Sequence, residues 1–136
     1  MSKILLIEDT ESLGEIICEI LTLEGFEVTW ARDGQEGLEL FSKVKPDLVI
    51  TDLVMPRLNG LEVIGRIRVS HAAETFPVII LSARTSPEDL DAGYKAGANV
   101  YLKKPCQSKV LIDTIRELLA TPESSSPPKT EPATNK

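Results

Sequence analysis

Ile4-Leu5-Leu6-Ile7-Glu8-Asp9 opens the chain with four consecutive apolar residues that run straight into two acids. A strand exposed on one face alternates apolar and polar residues, whereas one buried on both faces is apolar throughout. Three further runs share this character, Leu48 to Thr51, Val78 to Leu81 and Val100 to Leu102, and Val28 to Ala31 supplies a fifth strand. Between them the apolar period lengthens to that of a helix: Leu13-Ile16-Ile17-Ile20-Leu21, Leu38-Leu40-Phe41, Leu61-Ile64-Ile67, a Leu90 to Tyr94 stretch, and Val110-Leu111-Ile115-Leu118-Leu119. Five strands that alternate with five helices predict a doubly wound α/β domain, its parallel sheet covered on both faces through right-handed crossovers.

The boundaries carry their own chemistry. Asn59 with Glu62, and Ser86 with Pro87 and Asp89, are N-cap arrangements, in which a short side chain accepts first-turn N–H groups. Gly25 and Gly97 suit helix C-termini. Residues 121 to 136 hold four of the nine prolines and almost nothing to bury, so they are expected to form a disordered Pro/Ser-rich tail behind a domain of residues 1 to 120. The tail's charges cancel, which leaves the net charge of −6 on the domain. With 15 Lys plus Arg against 21 Asp plus Glu, direct binding to DNA or to an anionic membrane is not expected. Two cysteines, Cys18 and Cys106, make neither a disulfide framework nor a zinc site, and no apolar stretch is long enough for a signal peptide or a membrane span. A cytoplasmic protein is expected.

In open parallel sheets the crevice lies beyond the carboxyl ends of the strands, where strand order reverses. The first strand ends in Glu8-Asp9, the third in Asp52, the fourth in Ser82 and the fifth in Lys103-Lys104-Pro105; the second runs into Arg32-Asp33 and ends in no obvious reactive group. In the flavodoxin-like order 2-1-3-4-5 the four reactive ends are neighbours. Three carboxylates, a hydroxyl and an ammonium then converge. Crowded carboxylates repel, and a hard divalent cation relieves the repulsion; Mg²⁺ suits oxygen ligands and phosphate together. A carboxylate kept ionised in this way can attack phosphorus and form an acyl phosphate, with Lys104 and Ser82 serving the equatorial oxygens.

Four segments in this order, Ile-Leu-Leu-Ile-Glu-Asp at 4 to 9, Asp-Leu-Val-Ile-Thr-Asp-Leu-Val-Met-Pro-Arg-Leu-Asn-Gly at 47 to 60, Val-Ile-Ile-Leu-Ser-Ala at 78 to 83 and Ala-Gly-Ala-Asn-Val-Tyr-Leu-Lys-Lys-Pro at 96 to 105, carry a family likeness. Over nearly all of residues 1 to 120 the chain resembles the receiver domains of two-component response regulators, of the stand-alone, chemotaxis-regulator-like kind. The resemblance implies that Asp52 is the phosphoacceptor and that Glu8 and Asp9 form the acidic pair around Mg²⁺, with Asp9 a direct ligand and the backbone carbonyl of Val54 completing the set. It implies that Ser82 takes the place of the family's Ser/Thr that bonds the phosphoryl group, that the site lysine is Lys104, not Lys103, since Lys104 precedes the proline, and that the Lys104-Pro105 bond is cis. Tyr101 falls at the aromatic switch position and would turn inward as Ser82 moves toward phosphate. The phosphodonor would be a sensor histidine kinase or a histidine phosphotransfer protein, and the output would pass to a downstream protein through a face at about residues 86 to 119. No enzymatic activity beyond the domain's own aspartyl phosphorylation and dephosphorylation is expected.

The same residues admit other readings. Asp52 could be a turn or capping residue and Tyr101 a plain strand aromatic. Lys103 alternates with Lys104 and is expected in solvent. Glu11, Glu15 and Glu19 form an acidic stripe on the first helix, either a solvated face or one matched to a basic rim on a phosphotransfer partner. His71 is expected in a polar loop, Trp30 on the edge strand, and the two cysteines as small packing residues. A degenerate receiver acting as a phosphorylation-independent binding module is disfavoured by the intact Glu8, Asp9, Asp52, Ser82 and Lys104. A flavodoxin-like cofactor site at Thr10 to Gly14 is disfavoured by the adjacent acids, and a dehalogenase-type phosphatase by Val54, where a second acid is needed.

Overall fold

The computed structural model describes residues 2–55 and 58–120. The expected tail over 121 to 136, and Pro56 and Arg57 of the quoted motif, lie outside the described residues. The element order is β1 (Lys3–Ile7), α1 (Glu11–Leu23), β2 (Glu27–Ala31), α2 (Gly34–Val44), β3 (Leu48–Thr51), α3 (Gly60–Ser70), β4 (Val78–Ser82), α4 (Pro87–Ala96), β5 (Val100–Lys103) and α5 (Ser108–Ala120). The sheet is parallel throughout, in the order β2-β1-β3-β4-β5. This is the doubly wound, flavodoxin-like arrangement that the apolar runs predict, with strand edges differing by at most one residue.

Side chains alternate across a strand, so an all-apolar strand feeds two cores at once. In β1, Leu5 and Ile7 join one cluster with Val49, Val63, Ile64, Ile67 and Ile80, beneath α2, α3 and α4. Ile4 and Leu6 join the other with Ile17, Leu21, Ile50, Ile79 and Ile115, beneath α1 and α5. Ile4, Leu5, Leu6 and Ile7 are each at most 1% exposed. At about 25 cal/mol per Å² of apolar surface, each such side chain contributes roughly 1.5–3 kcal/mol, which is why the central strands rather than the helices set the frame. Tyr101 belongs to the first cluster and its neighbours Val100 and Leu102 to the second, so the pleat alone aims the Tyr101 ring toward α4.

The predicted caps form. Asn59 accepts from the Glu62 amide at 2.9 Å and Glu62 accepts from the Asn59 amide at 3.0 Å, closing a full capping box. Ser86 caps α4 with Pro87 following. Gly97 caps the C-terminus of α4 at φ 121° and Gly25 lies just past α1 at φ 97°, both in the left-handed region. Asp33, which follows the second strand, caps α2 by accepting from the Glu36 amide at 2.8 Å; this explains an acid at the end of the one strand that supplies no reactive group.

His71 leaves α3 into a loop, as expected; its Nδ1 pairs with Ser70 Oγ at 2.8 Å, and its ring also has aromatic neighbours. Its ring meets Phe41 edge-on at 5.1 Å and Phe76 at 5.4 Å, although the residue is exposed. Nearby, Arg68 donates to the carbonyls of His71, Phe76 and Gly97 and to Asn99 Oδ1, at 2.7–3.0 Å. Asn99 in turn accepts from the Val78 amide and donates to the Ala73 carbonyl. This pair ties the end of α3 to the starts of β4 and β5. Burial lowers the Arg68 pKa, with the charge of Glu74 partly opposing it.

Candidate functional site: an acidic crevice with one lysine

β1 and β3 are neighbours, but their crossovers leave on opposite faces of the sheet, which opens the crevice at their carboxyl ends. Glu8 follows β1 directly, and the buried strand carries it inside: it is 1% exposed. Asp52 follows β3 and is 9% exposed. Asp9, one residue further out, is exposed. Carboxylate oxygens of Glu8, Asp9 and Asp52 lie within 4.8 Å of one another.

Lys104 arrives from β5 and answers two of them. Its Nζ stands 2.7 Å from Asp52 Oδ2 and 2.8 Å from Glu8 Oε1. Desolvation lowers its pKa, but the hydrogen bonds and charges of Asp52 and Glu8 outweigh that, and the net shift is upward. Lys103, one residue earlier, is exposed, as the alternation along the strand requires. The Lys104-Pro105 bond is cis.

Every polar atom of Glu8 is held. Its amide donates to Ala31 at 3.0 Å, its carbonyl accepts from Trp30 Nε1 at 2.9 Å, and Oε2 accepts from the Thr10 amide at 3.1 Å, while Oε1 faces Lys104. Asp52 is held as closely: its amide donates to Ile7 at 3.2 Å and its Oδ1 accepts from the Leu53 amide at 2.6 Å. The loop beyond it folds back through a bond from the Gly60 amide to the Leu53 carbonyl at 2.9 Å. A Cβ on Gly60 would come within 2.2 Å of the Asp52 carbonyl oxygen, so this approach requires glycine. Val54 lies on the same loop, 51% exposed.

Ser82 ends β4 and is 1% exposed; its Oγ accepts from the Arg84 amide at 3.1 Å, leaving the hydroxyl proton available to a second acceptor. The Tyr101 hydroxyl donates to the carbonyl of the same Arg84. The ring lies inward, 9% exposed, against Gly93, where a Cβ would sit 3.0 Å from it. Burial pushes the Tyr101 phenol up, with a bond to Ser82 opposing.

Of the residues read from the strand ends, the crevice thus brings together Glu8, Asp9, Asp52 and Lys104, and Ser82 joins Lys104 through its backbone carbonyl, which accepts from the Lys104 amide at 2.9 Å. Two participants had no such signal. Trp30 comes from the edge strand, expected to be remote, and Thr10 acts through its backbone amide. The donor set is all hard oxygen, crowded and incompletely neutralised by one ammonium, which fits Mg²⁺ and excludes a thiolate or imidazole site. Among the described residues no helix is long and apolar enough to cross a membrane.

Known proteins are similar to this chain in sequence and in fold. The family model described as the response regulator receiver domain matches residues 4–116. The chain is 36% identical over 126 residues to the response regulator MprA of Mycolicibacterium vanbaalenii, covering 91% of this chain and 54% of that protein. It is 39% identical over 119 residues to the transcriptional regulatory protein CpxR of Escherichia coli K12, covering 88% and 50%. The chain thus spans about half the length of the curated relatives it matches. Among solved structures, the Vibrio cholerae chemotaxis protein CheY4 superposes with a TM-score of 0.81 at 31% identity, covering 87% of this chain and 98% of that one. The receiver domain of the Francisella response regulator 1452 does so with 0.81 at 32% identity, covering 88% and 98%. By its sequence over residues 4–116 and by the fold it shares with these solved structures, the chain belongs to the response regulator receiver domain family of two-component signalling.

Proposed function

We propose that this domain accepts a phosphoryl group on Asp52 and uses it to switch protein contacts. The observation that carries the proposal is the position of Lys104, whose single ammonium bridges Asp52 and Glu8 at 2.7 and 2.8 Å while a third carboxylate stays within 4.8 Å. One positive charge among three negative ones leaves the crevice short of cations, and a phosphoryl group brings more negative charge to it. Glu8, Asp9, Asp52 and the Val54 backbone carbonyl would hold Mg²⁺, which when bound supplies the missing positive charge to carboxylate and phosphoryl oxygens.

The chain's own groups then divide the work. Lys104 orients the Asp52 carboxylate, and its ammonium is placed to follow a phosphoryl oxygen. An oxygen of Asp52 attacks phosphorus of a phosphohistidine; the P–N bond breaks and its electron pair returns to the imidazole, which takes up a proton. The product is an acyl phosphate, and water attacking phosphorus later restores the carboxylate. The Ser82 hydroxyl donates to the phosphoryl group, and Tyr101, linked to Ser82 through Arg84, reports the change to the α4–β5 face. The donor is a histidine kinase or a histidine phosphotransfer protein, and the receiver of the signal is a protein.

Acetyl phosphate offered to wild type and Asp52→Asn, with and without Mg²⁺, tests this by intact mass. One phosphoryl group on wild type alone, dependent on Mg²⁺, is expected. Equal labelling of Asp52→Asn refutes the acceptor, and equal rates without Mg²⁺ refute the metal's part.

A further inference from the structure

Trp30 is the chain's single tryptophan and stands on the edge strand β2, opposite Leu6 of β1, where no chemistry is required of it. Its indole nevertheless reaches forward to the acidic loop and donates from Nε1 to the Glu8 carbonyl at 2.9 Å. That carbonyl belongs to the peptide joining Glu8 to Asp9. A peptide unit is planar, so holding its oxygen also sets the Asp9 amide and the direction in which the Asp9 side chain leaves the backbone. The other bonds on Glu8 act on its amide or its carboxylate. Trp30 is the side chain that grips this particular plane.

The surroundings are shaped to the ring. Helix α1 carries glycine at position 14, and a Cβ there would fall 2.1 Å from Cζ2, 2.2 Å from Cε2 and 2.7 Å from Nε1 of the indole. On the other side the Arg32 guanidinium lies 4.1 Å from the ring centroid. The indole thus packs against a helix with no side chain at the contact and carries a stacked cation, while its Nε1 is engaged by the Glu8 carbonyl.

We infer that Trp30 is a positioning residue for the metal loop: by holding the Glu8–Asp9 peptide plane it presents the Asp9 carboxylate toward a divalent cation. This rests on the reading of Asp9 as a ligand given above. Two substitutions attack the same bond from different sides. Trp30→Phe removes the donor and keeps an aromatic ring; Gly14→Ala keeps the donor and displaces the ring.

Calorimetric titration with Mg²⁺ is expected to show about two- to tenfold weaker binding in both variants, the equivalent of one neutral hydrogen bond. In metal-free protein the Asp9 and Thr10 amides are expected to exchange faster by a similar factor, while the Leu21 amide, deep in α1, keeps its rate. In wild type the single indole N–H resonance is expected to move as Mg²⁺ is added, a measurement that needs no variant. Unchanged Mg²⁺ affinity in both variants overturns the inference, as does a static indole resonance in a wild type that binds the ion. A wild type that binds no Mg²⁺ at all refutes the metal reading of the crevice instead; the Asp9 and Thr10 exchange rates then decide whether Trp30 holds the loop, and unchanged rates overturn it.

Discussion

Replacing Lys104 with methionine keeps most of the side chain's bulk and deletes the charge between Glu8 and Asp52. At 2.7 and 2.8 Å, and with an effective dielectric constant of about 20, each contact is worth about 6 kcal/mol of gross attraction. The net loss is smaller, because the ammonium's own desolvation is recovered and because a stranded carboxylate can escape by binding a proton. The second route sets a ceiling. Neutralising a glutamate costs about 1.36 kcal/mol for each pH unit above its ordinary value of about 4.3, hence about 4 kcal/mol at pH 7.5 and about 1 kcal/mol at pH 5. One protonation suffices, since the two acids share a proton's benefit. Lys104→Met is therefore expected to lose about 2–4 kcal/mol at pH 7.5 and about 1 kcal/mol or less at pH 5, in urea melts with chelator present. The sign follows from linkage: the variant gains a carboxyl whose folded pKa is raised, so its relative stability is greatest at low pH and declines as pH climbs. A deficit equal at the two pH values would show that Lys104 acts through packing, and the electrostatic account of the crevice would be wrong.

Gly60→Ala is expected to lose both stability, by about 1–3 kcal/mol, and phosphoryl incorporation, because the new methyl meets the backbone of Asp52 itself at 2.2 Å; urea melts and intact mass check the two parts. Arg68→Leu strands the carbonyls of His71, Phe76 and Gly97, and a loss of about 2–3 kcal/mol is expected, with faster amide exchange at the start of β5. Wild type is expected to weaken above about pH 10.4, since the raised Lys104 pKa contributes stability that is complete below the ordinary lysine value and disappears as pH rises through the folded one; chemical melts between pH 9 and 11 measure it. Phosphotransfer from a histidine donor protein is expected to slow with added salt, and to slow further when Glu15 and Glu19, both exposed on α1, are changed to lysine.

The sheet was legible because its strands are buried on two sides: Ile4 to Ile7 and Val78 to Leu81 admit no polar residue, so period and length leave one architecture. The crevice was legible for a related reason. Each reactive group sits one or two residues past such a run, and the strand order converts five scattered positions into neighbours. Groups that reach the site sideways left no trace. Trp30 acts by an indole extended over Gly14, and Thr10 by an amide; neither residue type nor spacing marks such a contact. His71 reads correctly as a loop residue, but its edge-on contact with Phe41, which comes from a different helix, leaves no signal in its own segment. The clasp of Arg68 on Asn99 joins residues far apart in sequence through carbonyls, which no pattern of side chains announces.

Arg84 makes both of its hydrogen bonds to Ser82 and Tyr101 with its peptide groups: its N–H goes to the serine hydroxyl and its C=O receives the phenol. A main-chain relay of this kind is indifferent to what the residue carries beyond Cα. Exchanging the side chain at 84 therefore leaves both hydrogen bonds in place as long as the backbone keeps its path.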